Sequence, residues 1–150
     1  MKQRLQNDLT TAIKARDELR SATIRLALAA IKTEEVAGKE ARELSEAEII
    51  QVLSREAKKR KEAAEVYRGA GAEDRAKAEE AELAVLSEYL PQALSAAELE
   101  QIVKSAVAEV VATGLVGMKA MGAVMKIVQP QTLGRADGAE VASLVKKLLS

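Results

Sequence analysis

Cysteine, histidine, tryptophan and phenylalanine are all absent from this chain. Without cysteine there is no disulfide framework, no thiolate nucleophile and no thiolate metal site. Without histidine the commonest zinc ligand and the commonest neutral-pH general base are missing. Tyr67 and Tyr89 are the only aromatic residues, too few for a platform that stacks single-stranded bases. No apolar run approaches the length of a membrane span, and no signal-type apolar segment follows Met1. A soluble, cytoplasmic protein with no membrane partner is therefore expected. The 23 basic and 23 acidic side chains cancel, so net charge points to no particular partner.

What is present is helix-forming sequence. The 150 residues suffice to bury about 70% of the unfolded surface, enough for one domain or two small ones. Alanine, leucine, glutamate, lysine and arginine dominate, and β-branched alternation is scarce. Leu5, Leu9, Ala12, Ile13 and Arg16 mark a first helix. Leu19, Thr23, Leu26 and Ala30, with Ile24, Leu28 and Ile31 beside them, mark a second that ends near Gly38. Its broad apolar face suits the centre of a bundle. Ser45 and Glu48 form a capping box before a third helix, which carries Ile49, Leu53, Ala57, Ala64 and Tyr67 and stops at Gly69-Ala70-Gly71. A fourth helix is expected from Glu73 to Leu90, ended by Pro91. Ser95 and Glu98 cap a fifth, with Leu99, Ile102, Val103, Ala106, Val107 and Val110, ended by Gly114 and Gly117. A sixth is expected over Met118–Val128, before Pro130, and Asp137 with Glu140 opens a seventh. The proline at Tyr89-Leu90-Pro91-Gln92 gives the best boundary. The expectation is an all-α chain: about four bundled helices in residues 1–92, then a three-helix tail in 93–150.

Several charged groups invite a site. Lys58-Lys59-Arg60-Lys61 covers about 300° of a helix and makes no single patch. Pairs of Lys58 with Glu62 and Lys61 with Glu65 on a solvated face stand against a nucleic-acid or import role. Arg60 falls within the stripe Leu53, Ala57, Ala64, Tyr67. It either extends past these residues to water or meets an acid of a neighbouring helix, such as Glu82. Glu34-Glu35, Glu79-Glu80 and Glu82 have no histidine to join them in a metal motif and read as surface charge. No phosphate-loop, dinucleotide or nucleophile-elbow motif occurs. No catalytic residue, metal ligand or cofactor is assigned.

The last third is the most distinctive segment. From Leu115 onward Lys119, Lys126, Arg135, Lys146 and Lys147 outnumber Asp137 and Glu140. Met118, Met121, Met125 and Val128 share a helix face suited to core packing. Lys119 and Lys126 lie on one side, about 10 Å apart, with only Gly122 and Ala123 between them. A flat surface between two cations admits a phosphodiester backbone, although exposed lysines on any helix look the same. Arg135 stands between Gly134 and the helix-capping Asp137, and it is the better contact candidate of that loop. Lys146 and Lys147 fall in a final helical turn, where cations oppose the helix dipole.

Lys119 to Lys126, with Gly134-Arg135-Ala136-Asp137-Gly138 and the closing Val145-Lys146…Leu148-Leu149, resembles the GatB/YqeY family. Arg25-Leu26…Ile31-Lys32…Glu35 and Glu82…Tyr89-Leu90-Pro91 are similar to the helical half of its small stand-alone members. The chain departs from the family pattern in the order Gly117-Met118 and in the connection containing Pro130. The resemblance implies an all-helical fold of two parts. It also implies a tail like that of the B subunit of the glutamine-dependent tRNA amidotransferase, where the tail recognises tRNA and the chemistry resides elsewhere. A carbon–nitrogen ligase label, with glutamine as amido donor, comes with that larger enzyme.

Three readings follow. The first is a stand-alone protein, tRNA-binding or amidotransferase-associated, with no catalytic centre of its own. Its RNA contacts are Lys119, Gly122, Lys126, Arg135, Lys146 and Lys147, because folded RNA is read through shape, phosphates and 2′-hydroxyls. The second is a protein-interaction module that docks on an amidotransferase or another cytosolic protein through the methionine-rich face. The third is a ligase in its own right.

Overall fold

Side chains cap the starts of four helices. Asp17 accepts the Arg20 amide at 2.9 Å. Glu48 donates its amide to Ser45 Oγ at 3.3 Å and accepts the Ser45 amide at 2.8 Å, closing the box. Glu98 and Ser95 repeat it at 3.2 and 2.8 Å. Asp137 accepts the amides of both Ala139 and Glu140. Each cap satisfies N–H groups that the first turn of a helix leaves without a partner. The computed structural model describes residues 1–150. It contains α1 (Lys2–Lys14), α2 (Glu18–Glu35), α3 (Glu46–Gly69), α4 (Glu73–Ser87), α5 (Ala96–Ala112), a 3-10 turn (Gly117–Ala120), α6 (Met121–Thr132) and α7 (Gly138–Leu149). The protein is all-α, and it separates into two compact units, Met1–Pro91 and Gln92–Ser150.

In the first unit α2 packs against α1, α3 and α4. Its core face is Ile24, Ala27 and Ile31, set against Leu5 of α1, Val52 and Leu53 of α3 and Leu86 of α4. Burying an isoleucine or leucine of this kind contributes about 1.5–3 kcal/mol. Leu19 and Leu26, read from the sequence as part of the same apolar face, turn half-exposed to solvent instead. The α1–α2 turn is tight, and Arg16 takes a φ of +55° to make it. Such a conformation costs a residue with a Cβ about 1 kcal/mol, and the caps on either side hold it.

Arg60 meets the acid expected of it. Its Nε lies 2.9 Å from Oε2 of Glu82 on α4, and its Nη1 lies 3.7 Å from Oε2 of Glu79. Arg60 Nε and the two Oε2 atoms are buried, yet none makes a well-directed hydrogen bond. The contact is a charge pairing across the α3–α4 seam. Lys58 pairs with Glu62 as expected, whereas Lys59 reaches back to Glu56.

Three helix ends differ from the sequence reading. α2 stops at Glu35, before Gly38; there the Glu35 carbonyl accepts the Arg42 amide at 3.0 Å, and its carboxylate turns inward to Lys2 at 2.6 Å. α4 stops at Ser87, not Leu90, and the Tyr89 and Leu90 amides make tight bonds to the Leu86 and Ser87 carbonyls. This turn drives Tyr89 into the core, where 2% of it is exposed. α6 runs through Pro130 to Thr132 and does not stop at Val128. A proline so near the helix end removes only one bond of the ladder, and Leu133 continues it by donating to Gln129.

The second unit packs α5, α6 and α7 on one another. Leu99, Val103, Ala106 and Val110 of α5 meet Ala120, Val124 and Val128, with Val141, Val145 and Leu149 of α7. No single helix of the protein is long and apolar enough to cross a membrane.

Candidate nucleic-acid interface

The core of the second unit dictates which side of α6 faces water. Ala120, Val124 and Val128 point inward at four-residue spacing. Met121 and Met125 flank them and pack against the core, but Met118 does not: it is 54% exposed. The expected four-membered packing face therefore lacks its first methionine. The reason is local. Gly117 adopts a φ of +60° and the chain enters as a 3-10 turn, so Met118 precedes the α-helical register.

The opposite side of this element carries Lys119, Gly122, Lys126 and Gln129, all exposed. Lys119 belongs to the 3-10 turn and Lys126 to α6. Two tighter steps followed by five α-helical ones still return Lys126 to the same side, about 11 Å farther along the axis. Neither lysine makes a hydrogen bond or ion pair within the protein. A Cβ added at Gly122 would meet no atom within 4 Å, so the surface between the cations is open.

Arg135 is built into the fold. Its Nε donates to the Gln92 carbonyl at 3.0 Å, and its own carbonyl accepts the Leu94 amide at 2.8 Å. The two bonds clamp the segment entering α5 to the loop entering α7. Arg135 also helps hold the Glu98 carboxyl below the usual carboxylate range, after the larger effect of the Ser95 amide and hydroxyl. Gly134, at a φ of +71°, makes the turn that delivers it. This clamp was not legible in the sequence, since nothing there relates Arg135 to a carbonyl 43 residues earlier.

Lys146 and Lys147 diverge. Both are exposed in the last turn of α7. Lys147 lines a shallow groove between α5 and α7 together with Glu100, Glu140 and Ser143. The Glu100 carboxyl is held low chiefly by Lys104, with Lys147 adding to it. Acids thus surround Lys147, whereas Lys146 has no partner in the protein. The structure brings Lys119, Gly122 and Lys126 together on one face, engages Arg135 with Gln92 and Leu94, and places Lys147 in a groove with Glu100 and Glu140.

A feature missed in the sequence adjoins Lys119. Val111, Leu115, Val116 and Met118 are 40%, 42%, 64% and 54% exposed around the turn between α5 and the 3-10 segment. The signal was present as apolar residues between Gly114 and Gly117, which read there only as a helix end. No group of three or more Asp, Glu, His or Cys side chains is placed to hold a metal ion.

The family model described as Yqey-like protein matches residues 2–149 of the chain. No curated protein matches it.

Proposed function

The chain belongs to the Yqey-like protein family, and on that premise we propose that it is a non-catalytic binder of folded RNA, with tRNA as its ligand. Residues 93–150 act as the binding tail, and residues 1–92 act as a separate helical domain. The observation that carries this reading is the Lys119–Gly122–Lys126 face. Two cations without internal partners flank a surface that presents no side-chain bulk. That arrangement fits a phosphate backbone, which needs charge and close approach but no aromatic stacking. Lys146 adds a further free cation. Arg135 contributes through whichever guanidinium donors its clamp leaves available, and Lys147 contributes least because acids share its groove.

The reading predicts a mobility shift of tRNA by the full chain at low salt, weakened when Lys119 and Lys126 are both changed to alanine. A chain that does not shift tRNA, or whose double variant shifts it equally, refutes it. The protein-interaction reading is supported by the exposed Val111, Leu115, Val116 and Met118, four apolar residues close together in the sequence around one turn. Under that reading an amidotransferase or another cytosolic protein, without RNA, co-purifies with the chain, and Val116→Asp releases it.

A further inference from the structure

Helix α2 differs from its neighbours in what it shows to solvent. The exposed residues of α1, α3 and α4 are mostly polar or charged, whereas those of α2 include Leu19, Ala22, Leu26, Ala29 and Thr33. Leu19 and Leu26 are 43% and 49% exposed, and Val36, just past the helix end, is 49% exposed. These six positions step by 3, 4, 3, 4 and 3 residues, the spacing of a two-helix seam. Leucines alternate with alanines along it. The face therefore offers projecting side chains next to hollows that the side chains of a second helix can enter. Glu18, Arg25 and Lys32, at seven-residue spacing, run along one edge, which is basic on balance. Arg25 has no partner within the chain, and Lys32 keeps only a 3.8 Å contact with Glu35 while 69% exposed.

Charge decides what covers this seam. Two copies laid antiparallel layer Leu19 with Val36, Ala22 with Thr33 and Leu26 with Ala29, which sets Arg25 beside Lys32 of the other copy. Sliding the copies by one heptad one way joins Glu18 to Lys32 but opposes Arg25 with Arg25 and leaves Thr33 and Val36 uncovered; sliding them the other way opposes Lys32 with Lys32 and leaves Leu19 and Ala22 uncovered. Parallel copies bring Arg25 toward Ala30, and no acid meets it. Edge charges choose the partner in such pairings, and like charges disfavour it. We propose that the exposed face of α2 docks an amphipathic helix of another protein, one whose apolar residues recur at 3–4 spacing and are edged by carboxylates. This site lies in the first unit and does not depend on the RNA reading.

The test uses the full chain and two designed three-heptad helical peptides with leucine and alanine on the seam. One carries glutamates along its edges, the other lysines. The glutamate peptide should shift the amide resonances of residues 19–36 and bind at least ~10-fold tighter than the lysine peptide, a difference of about 1.4 kcal/mol. Leu26→Glu should abolish binding, and Arg25→Glu with Lys32→Glu should reverse the preference between the peptides. All three residues are solvent-exposed, and the charge-reversal variant reports even where Leu26→Glu lowers stability. Failure of the glutamate peptide to shift α2, equal binding of both peptides, or a preference unmoved by charge reversal overturns the proposal. A concentration-dependent dimer in sedimentation that Leu26→Glu dissolves also overturns it, because it gives the seam to a second copy.

Discussion

Arg135 holds Gln92: its Nε stands 3.0 Å from the Gln92 carbonyl oxygen, while its backbone accepts the Leu94 amide. The residue with the most prominent place in the Gly-Arg-Ala-Asp-Gly loop is thus a fold clamp as well as a cation. The two roles separate by substitution. Arg135→Lys keeps the charge but cannot present Nε–H in the guanidinium plane. It should cost about 1 kcal/mol in urea unfolding, with tRNA affinity retained. Arg135→Ala should lower both. Unchanged stability of Arg135→Lys would show the clamp to be unimportant.

Arg60 gives a second prediction. Its partners Glu79 and Glu82 are about one-fifth to one-quarter exposed. Removing the arginine alone leaves two partly buried carboxylates facing each other. Arg60→Ala should therefore destabilise the chain by about 2 kcal/mol, below the range for a fully buried pair. Arg60→Met with Glu79→Gln and Glu82→Leu removes all three charges and leaves apolar packing along Ala57 and Ala64, and it should cost less than about 1 kcal/mol. Equal losses in urea unfolding would contradict this expectation.

Tyr89 should make stability sensitive to alkali. Its hydroxyl donates to Asp8 Oδ2 at 2.6 Å, and burial, followed by the Asp8 contact, pushes the phenol up to about 12 from 10.0. A raised pKa favours the protonated form in the folded chain. The stabilisation is present in full below pH 10 and is lost as pH rises through about 12. Its size is on the order of 2 kcal/mol. Ultraviolet titration of Tyr67→Phe, which leaves Tyr89 as the only tyrosine, should show ionisation near 12. Tyr89→Phe should remove the corresponding step in stability.

The first capping box should report at the acid end. Glu48 is lowered from 4.5 to about 2, by Arg42 first and then by the Ser45 amide and hydroxyl. The stabilisation is complete above the ordinary carboxylate range and disappears as pH falls through about 2. Glu48→Gln should flatten that acid limb in a circular-dichroism pH series. Ser45→Ala should cost about 1 kcal/mol above the carboxylate range and less in acid, where its hydroxyl no longer meets an ionised Glu48. An acid limb unchanged by Glu48→Gln would assign it to other carboxylates.

Local rules carried much of the fold. The capping boxes at Ser45 and Ser95 and the Asp137 cap were legible because each needs only residues three apart. The Arg60–Glu82 pairing was one of two outcomes legible from a cation in an apolar stripe, the other being extension to water, and the structure shows the pairing. What escaped depended on tertiary context. The ends of α2 and α4 lie where Glu35 and Tyr89 meet partners far along the chain, Lys2 and Asp8, which local spacing does not reveal. α6 passed Pro130 because the missing bond falls in its last turn. In the candidate interface, the Lys119–Lys126 face follows from periodicity alone. The Arg135 clamp, the acids around Lys147 and the exposure of Met118 required the packed unit.

Whether Lys119 and Lys126 neutralise phosphates is measured most directly by the salt dependence of tRNA binding. Binding constants for the full chain and for Lys119→Ala with Lys126→Ala, taken across a salt series, give two log–log slopes. The chain should bind tRNA at low salt. The double variant should bind more weakly, with a slope shallower by about 1–2, near one unit for each phosphate that is no longer neutralised. Parallel lines of equal affinity, or no tRNA binding by the unaltered chain, would contradict the proposed role of these lysines.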